Sequence, residues 1–286
     1  MMPHFTIIIP SFNRAHIILN TIQAVLDQSF QDWELLIVDD GSTDNTKDIL
    51  IPILADKRIK YIYQDNAGVC VARNKGALIA TGEYLVFLDS DDTVLEKWLE
   101  DFYTLKEYKH DIIFCNMKII KPNKSIKLVS CLDPYNDGNS KGISIPGTWS
   151  IRKDVFIASG MYDEKLKFGE NTELRFRLNE KILNIGLIDK FNFIYHESLN
   201  GGSKNLKNKI DSNIYILSKH TNYFKTYPHA LRFYYQNIAV AYSKLGMFNC
   251  ARKYFWLAYK VNIMKIDTLI RLVISFFPLL GKKIWK

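Results

Sequence analysis

The chain has 286 residues, 48% of them hydrophobic, and a formal charge of +8 from 38 lysines and arginines against 30 acidic residues. That length suits one large domain or a domain with an appendage, and that apolar content excludes wholesale disorder. The modest basic excess suits an anionic partner, whether a nucleotide, a membrane surface or nucleic acid, without choosing among them.

The predicted elements begin with a strand over Phe5 to Ile9, stopped by Pro10. Helical spacing runs from Ile17 to Gln28. A second strand over Trp33 to Val38 ends at Asp39-Asp40-Gly41, and Ser42 and Asp44 can cap a helix through about Leu54. Ile59 to Tyr63 reads as a third strand, Val69 to Ala80 as a third helix, and Tyr84 to Leu88 as a fourth strand. Strand–helix alternation with continuously apolar strands predicts a parallel sheet covered by helices on both faces. Ligands of such sheets bind beyond the carboxyl ends of the strands. The polar clusters Pro10 to Arg14, Asp39 to Ser42, Gln64 to Gly68 and Asp89 to Asp92 each follow a strand, so all four are expected on one edge.

Asp89-Ser90-Asp91-Asp92 carries the most chemistry. Three carboxylates repel one another and cost desolvation energy unless a cation or strong donors offset them. A hard divalent ion, Mg²⁺ or Mn²⁺, sharing phosphate oxygens is one solution; a solvated turn capping the next helix is the other.

Farther along, Met117 to Ile120 and Ser125 to Val129 suggest a hairpin. Asp133 to Gly147 reads as a mobile loop. Helices are expected near Lys153–Ser159 and Thr172–Lys181, and strands near Ile185 and Phe193. After about residue 205 the pattern is long-helical. There Asn237 to Gly246, with Ala251, Phe255 and Ala258, resembles a single tetratricopeptide-type hairpin. From Ile266 to Lys286 a basic amphipathic segment suits an anionic membrane surface, or a helix docked on the domain. The cysteines, Cys70, Cys115, Cys131 and Cys250, form no CxxC pair and read as reduced thiols. No apolar run reaches the roughly 20 residues of a membrane span, and Met1 to Pro10 lacks a signal-peptide pattern. The expected location is cytoplasmic, peripheral on the inner face of the plasma membrane if the tail binds lipid.

Thr6 to Arg14, Leu36 to Asp44, Gly68 to Gly76 and Phe87 to Asp92 together resemble the inverting family 2 glycosyltransferases of the GT-A fold, over roughly residues 4–200. The resemblance implies an α/β GT-A catalytic domain over 1–204, with a nucleotide-sugar half (1–115) and an acceptor half (116–204), followed by a helical region over 205–286. It implies transfer of a sugar from a nucleotide-diphosphate sugar, UDP-linked by default, to a hydroxyl of a saccharide or lipid-linked saccharide, in cell-surface polysaccharide synthesis. Asp39 would meet the base or ribose. Pro10 and Phe12 would border the base, with Asn13 nearby, although Phe12 could equally be a core aromatic. Asn66 and Gly68 would let backbone approach the nucleotide, and Arg73 would meet diphosphate or ribose. Asp89 and Ser90 would lie against the ribose. Asp91 would bind Mn²⁺ or Mg²⁺, with Asp92 a second ligand or a helix cap and His196 a helper on metal or diphosphate. Asn200 to Lys204 would close as a lid, and Trp149 would stack on the acceptor or sit in the core.

One departure stands out. Where such enzymes carry a Gly-Glu-Asp signature whose Asp is the base, this chain has Gly169-Glu170-Asn171. An amide cannot serve as a general base. Glu170, Glu173 or Asp163 could take over, or the protein could be a non-catalytic sugar-nucleotide-binding or scaffold protein. A nucleotidyltransferase is disfavoured because Pro10 to Arg14 holds no glycine. A nucleic-acid partner rests on charge alone and is not expected.

Overall fold

The structure is a computed structural model that describes residues 2–130, 145–198, 204–277 and 284. The described residues form two compact units, one of residues 2–130, 145–164 and 170–198, the other of residues 165–169 and 204–277.

The first unit is an α/β layer built on one nine-stranded sheet. Its elements in order are β1 (Phe5–Ser11), α1 (Ile18–Leu26), β2 (Trp33–Asp39), α2 (Thr46–Leu50), β3 (Ile59–Tyr63), α3 (Val69–Ile79), β4 (Tyr84–Phe87), β5 (Thr93–Val94), α4 (Trp98–Tyr103), β6 (Ile112–Ile120), β7 (Ile126–Val129), β8 (Trp149–Arg152), α5 (Lys153–Ala158), α6 (Glu170–Asn179) and β9 (Ile185–His196). The strands run in the order β3-β2-β1-β4-β8-β6-β9-β5, with β7 paired to β6. The four N-terminal strands β3, β2, β1 and β4 are mutually parallel, as the strand–helix alternation predicts. All seven residues of β1 and of β2 are buried. The sheet then turns mixed: β8 is antiparallel to β4 and to β6, and β9 is parallel to β6.

Register sets up the site. Ser11 pairs with Asp39, and Asp39 with Tyr63, so three strands end in one row. Ile8 pairs with Phe87, so the residues that follow β4 reach the same row. The four polar clusters therefore do share one sheet edge.

Three local expectations are corrected. The helix after Asp44 is α-helical only to Leu50 and continues as a 3₁₀ turn over Ile51–Ala55. Pro52 has no N–H to donate and its ring crowds the preceding turn. Ser42 does not cap this helix, whereas Asp44 Oδ1 does accept from the Thr46 amide at 3.0 Å. The two strands expected near Ile185 and Phe193 are one strand, β9, whose register against β6 shifts between Cys115 and Met117. The hairpin of β6 and β7 forms as expected, but β6 begins earlier, at Ile112. The loop expected over Asp133 to Gly147 lies mostly outside the described residues.

The second unit contains α7 (Leu206–Lys219), α8 (Thr221–Thr226), α9 (Pro228–Lys244), α10 (Phe248–Val261) and α11 (Ile266–Ile274). The expected hairpin is α9 and α10, turned at Gly246 with φ +76°. Ala239, Ala251 and Ala258 are fully buried with Phe255 between them, because small side chains let two helices approach closely. No described helix is long and apolar enough to cross a membrane.

Candidate functional site

After β2, the two aspartates take different jobs. Asp39 Oδ1 accepts from the Ser42 amide at 2.8 Å and Oδ2 from the Tyr61 hydroxyl at 2.6 Å. Burial and that carboxylate push the Tyr61 phenol well up, so it stays a donor. Asp40 is buried and aims back under the β3–α3 loop. It accepts from Gln64 Nε2 at 2.7 Å and from the amides of Ala67 and Gly68 at 2.8 Å, while its own carbonyl accepts from Asn66 Nδ2 at 2.9 Å. Gly41 directly follows the two aspartates, at φ +83°. A Cβ there would sit 2.7 Å from the Asn66 amide nitrogen, so only glycine lets the two loops meet. The partners of Asp40 are 24 to 28 residues away in sequence, beyond any local pattern.

Phe12 is not a core aromatic. Its ring is 46% exposed at the end of β1, on the rim and not in the core. The next residue, Asn13, has φ +54°, and its side-chain oxygen accepts from the Thr43 amide at 2.8 Å. Its own amide donates to Ser42 Oγ at 2.8 Å. The first and second loops are thus tied together, and Pro10 lies in the buried strand just before them.

The acidic tip after β4 is less completely satisfied. Asp89 Oδ1 accepts from Arg73 Nη2 at 2.5 Å. Ser90 is buried, and its carbonyl accepts from Thr21 Oγ1 at 3.0 Å. Asp91 faces Arg14 Nη2 at 3.6 Å. Burial, with Asp89 adding repulsion, pushes the Asp91 carboxyl up, and Arg14 only partly offsets this. Asp92 is buried; its Oδ1 accepts from the His196 amide at 2.9 Å, and its Oδ2 has no hydrogen-bond partner. Burial first, then Asp89, raises the Asp92 carboxyl well above its ordinary range. Asp92 therefore ties the strand end at His196 to the acidic tip from within, and the helix-cap role is not observed. His196 Nε2 lies 2.8 Å from Thr93 Oγ1, and burial lowers its pKa, which favours the neutral ring, while Asp91 works against this.

Among the described residues no three His, Cys, Asp or Glu side chains converge where a metal ion could sit. A cage made by the protein alone is therefore not what these residues offer. An under-neutralised Asp91 beside Asp89 instead fits a hard ion that takes one or two carboxylates and completes its shell with phosphate oxygens and water.

Arg73 is the hinge of the site. It is buried, and its guanidinium joins two carboxylates from different parts of the chain: Nη2 to Asp89 and Nη1 to Glu170 Oε1 at 2.9 Å. It lies 5.3 Å over the Tyr162 ring, and Nε is left without a partner. Arg73 thus presents its fork to carboxylates rather than outward to a phosphate. Glu170 Oε1 also accepts from Asn171 Nδ2 at 3.1 Å, and Asn171 Oδ1 accepts from the Tyr162 hydroxyl at 2.9 Å. Asn171 is therefore a linker between Tyr162 and Glu170. Glu173 is fully buried and gripped by Arg177 at 2.7 Å, which removes it as an alternative base. Burial pushes the neighbouring Cys70 thiol up to about 12, so it is no nucleophile.

Trp149 is a correction. Its indole is 4% exposed and packs 5.7 Å from the Phe87 ring, so it fills the core and offers no face to a sugar. A Trp next to a loop gives no local sign of which way β8 turns it. The expected lid over Asn200 to Lys204 lies outside the described residues except for Lys204, which is exposed.

The chain is 48% identical over 101 residues to TuaG of Bacillus subtilis (strain 168), a glycosyltransferase assigned to teichuronic acid biosynthesis; the match covers 35% of this chain and 38% of TuaG. It is 31% identical over 196 residues to an uncharacterized glycosyltransferase of Rickettsia felis, covering 65% of this chain and 31% of that protein. WcaA of Escherichia coli (strain K12), assigned to colanic acid biosynthesis, is 29% identical over 190 residues, covering 62% of this chain and 66% of WcaA. The chain thus spans less than two fifths of the length of the first two of these relatives. In structure it is similar to S. aureus TarS residues 1–349, crystallised in complex with UDP-GlcNAc, with a TM-score of 0.66 at 17% identity over 97% of this chain and 90% of that one. That likeness gives the fold, GT-A. The model of glycosyl transferase family 2 matches residues 6–157, more than half of the chain, and with the four loop motifs gathered on one sheet edge the chain belongs to glycosyl transferase family 2.

Proposed function

We propose that this glycosyltransferase moves a sugar, with inversion, from a nucleotide-diphosphate donor to a hydroxyl of a saccharide or lipid-linked saccharide during cell-surface polysaccharide synthesis. UDP is the proposed nucleotide, in line with the UDP-GlcNAc held by TarS. The names of TuaG and WcaA support the polysaccharide context. The single observation that carries the reading is the Asp89–Arg73–Glu170 chain of ion pairs, which links the acidic tip after β4 to the start of α6.

Each residue then has a task. Exposed Phe12 and Pro10, two residues before it, border the base, and Asp39 and the Asn66–Gly68 backbone line the nucleoside. Asp89 and Ser90 approach the ribose. Asp91, with His196 near it, would hold Mn²⁺ or Mg²⁺, which supplies Lewis-acid stabilisation of the departing diphosphate. Arg73 positions Glu170, the proposed base. As the acceptor oxygen bonds to the anomeric carbon, Glu170 takes the hydroxyl proton and the bond to the diphosphate breaks, its electron pair leaving with the phosphate oxygen. The work is proposed to occur in the cytoplasm, peripherally on the inner face of the plasma membrane.

Incubation of the full chain with a panel of nucleotide sugars and Mn²⁺, followed by thermal stabilisation and donor-turnover measurements, tests this. Stabilisation by one sugar nucleotide with turnover on an acceptor is expected. Binding without turnover, with turnover appearing only in Asn171→Asp, would instead establish the non-catalytic binding role.

A further inference from the structure

Helix α11 is built with its apolar side outward. It buries Thr268 and Leu272, and Ser275 is buried at its C-terminal cap. Thr268 Oγ1 accepts from Arg232 Nη1 and from Gln236 Nε2, both at 2.8 Å, and the Ser275 hydroxyl donates to the Leu272 carbonyl at 2.5 Å. On the opposite face stand Ile266, Ile270 and Val273, at positions i, i+4 and i+7, each between 50% and 70% exposed, and Phe277, 58% exposed, follows just beyond the helix end. A helix on a soluble surface ordinarily does the reverse. A continuous apolar stripe left in water marks an interaction surface.

Charge selects the partner. Residues 205–286 carry 14 lysines and arginines and only two acidic residues, a formal +12, whereas residues 1–204 carry 24 and 28, a formal −4. The whole basic excess of the protein therefore lies in the helical unit. One of its two acids, Asp267, already faces Arg232 at 3.2 Å. A second copy docking through this unit would set +12 against +12, which opposes self-association. Basic and aromatic groups also interleave beside the stripe. The Arg252 guanidinium lies 5.0 Å from the Phe276 ring, and Lys260 lies 5.3 Å over exposed Trp256. Basic groups around an exposed apolar helix face are the requirements for lying in an anionic lipid interface.

We propose that the outward stripe of α11, with the basic groups flanking it, docks on the surface of an anionic lipid bilayer, the helix lying in the plane of the interface. This rests on the membrane location proposed above and names the face responsible, within the described helix and not in the extreme tail. The test is co-sedimentation of the full chain with vesicles of phosphatidylglycerol and phosphatidylcholine in equal parts, and with phosphatidylcholine alone. Binding to the anionic vesicles only is expected, weakened by salt, and about tenfold or more weaker in Ile270→Glu/Val273→Glu, whose donor-induced thermal stabilisation stays as in the parent. If that variant binds like the parent while a chain ending at residue 277 does not, the α11 face is wrong and the membrane location stands. If the parent binds neither vesicle, both fall, and a dimer of the parent that the same variant dissolves would replace the lipid with a second copy.

Discussion

Two acidic tips share one sheet edge and differ in how completely they are neutralised. Asp39 and Asp40, after β2, receive donors from Ser42, Tyr61, Gln64, Ala67 and Gly68. Asp89, Asp91 and Asp92, after β4, share Arg73, a more distant Arg14 and one backbone amide, and two of the three are pushed toward their protonated forms. The first tip spends its charge on tying loops together. The second keeps charge unspent, which is what a site for a cationic or metal-bridged ligand requires.

The comparison breaks first at Asp91. Asp91→Ala should abolish Mn²⁺-dependent donor binding by calorimetry while leaving the fold intact; unchanged affinity would mean that the second tip has no ligand role. Next comes Glu170→Gln, which should lower turnover by about two or more orders of magnitude with little change in donor affinity. Near-normal turnover would remove Glu170 as the base. At the first tip the cost should be to stability: Asp40→Ala strips three donors of a buried acceptor and should destabilise by about 2 kcal/mol in urea unfolding. A smaller loss, about 1 kcal/mol, is expected for Tyr61→Phe, which leaves Asp39 with one donor fewer. If Asp40→Ala instead impaired catalysis without loss of stability, the two tips would not differ as described.

The mildest effect lies at the other end of β2. Glu34 is buried, which raises its pKa, but donors from Thr81, Lys60 and Thr6 outweigh burial and hold it below its ordinary value. A depressed folded-state pKa contributes stability above the unfolded value and loses it as pH falls through the folded one. The stability gap between the parent and Glu34→Gln should therefore be constant from neutral pH down to about 5, then close in more acidic solution.

Much of the catalytic layer was legible in the chain. Short, largely apolar runs at Phe5 to Ile9, Trp33 to Val38 and Tyr84 to Leu88, alternating with helical patterns, read as strands buried on both faces, and the polar residues after each then meet at one edge. The Glu-Asn pair at 170–171 was visible as a departure from the family pattern. Trp149 was not legible, because an indole beside a loop reads the same whether it faces ligand or core. Nor was the alliance of Arg73 with Glu170, 97 residues away.

By itself the sequence determined the alternation of elements, the shared edge and the family, because these follow from side-chain periodicity and from short motifs. Only the tertiary structure decided which aspartate is satisfied and which is not, that Arg73 faces carboxylates, and that α11 turns its apolar side to water. Those are properties of distance and burial, set by residues far apart along the chain, and no local spacing encodes them.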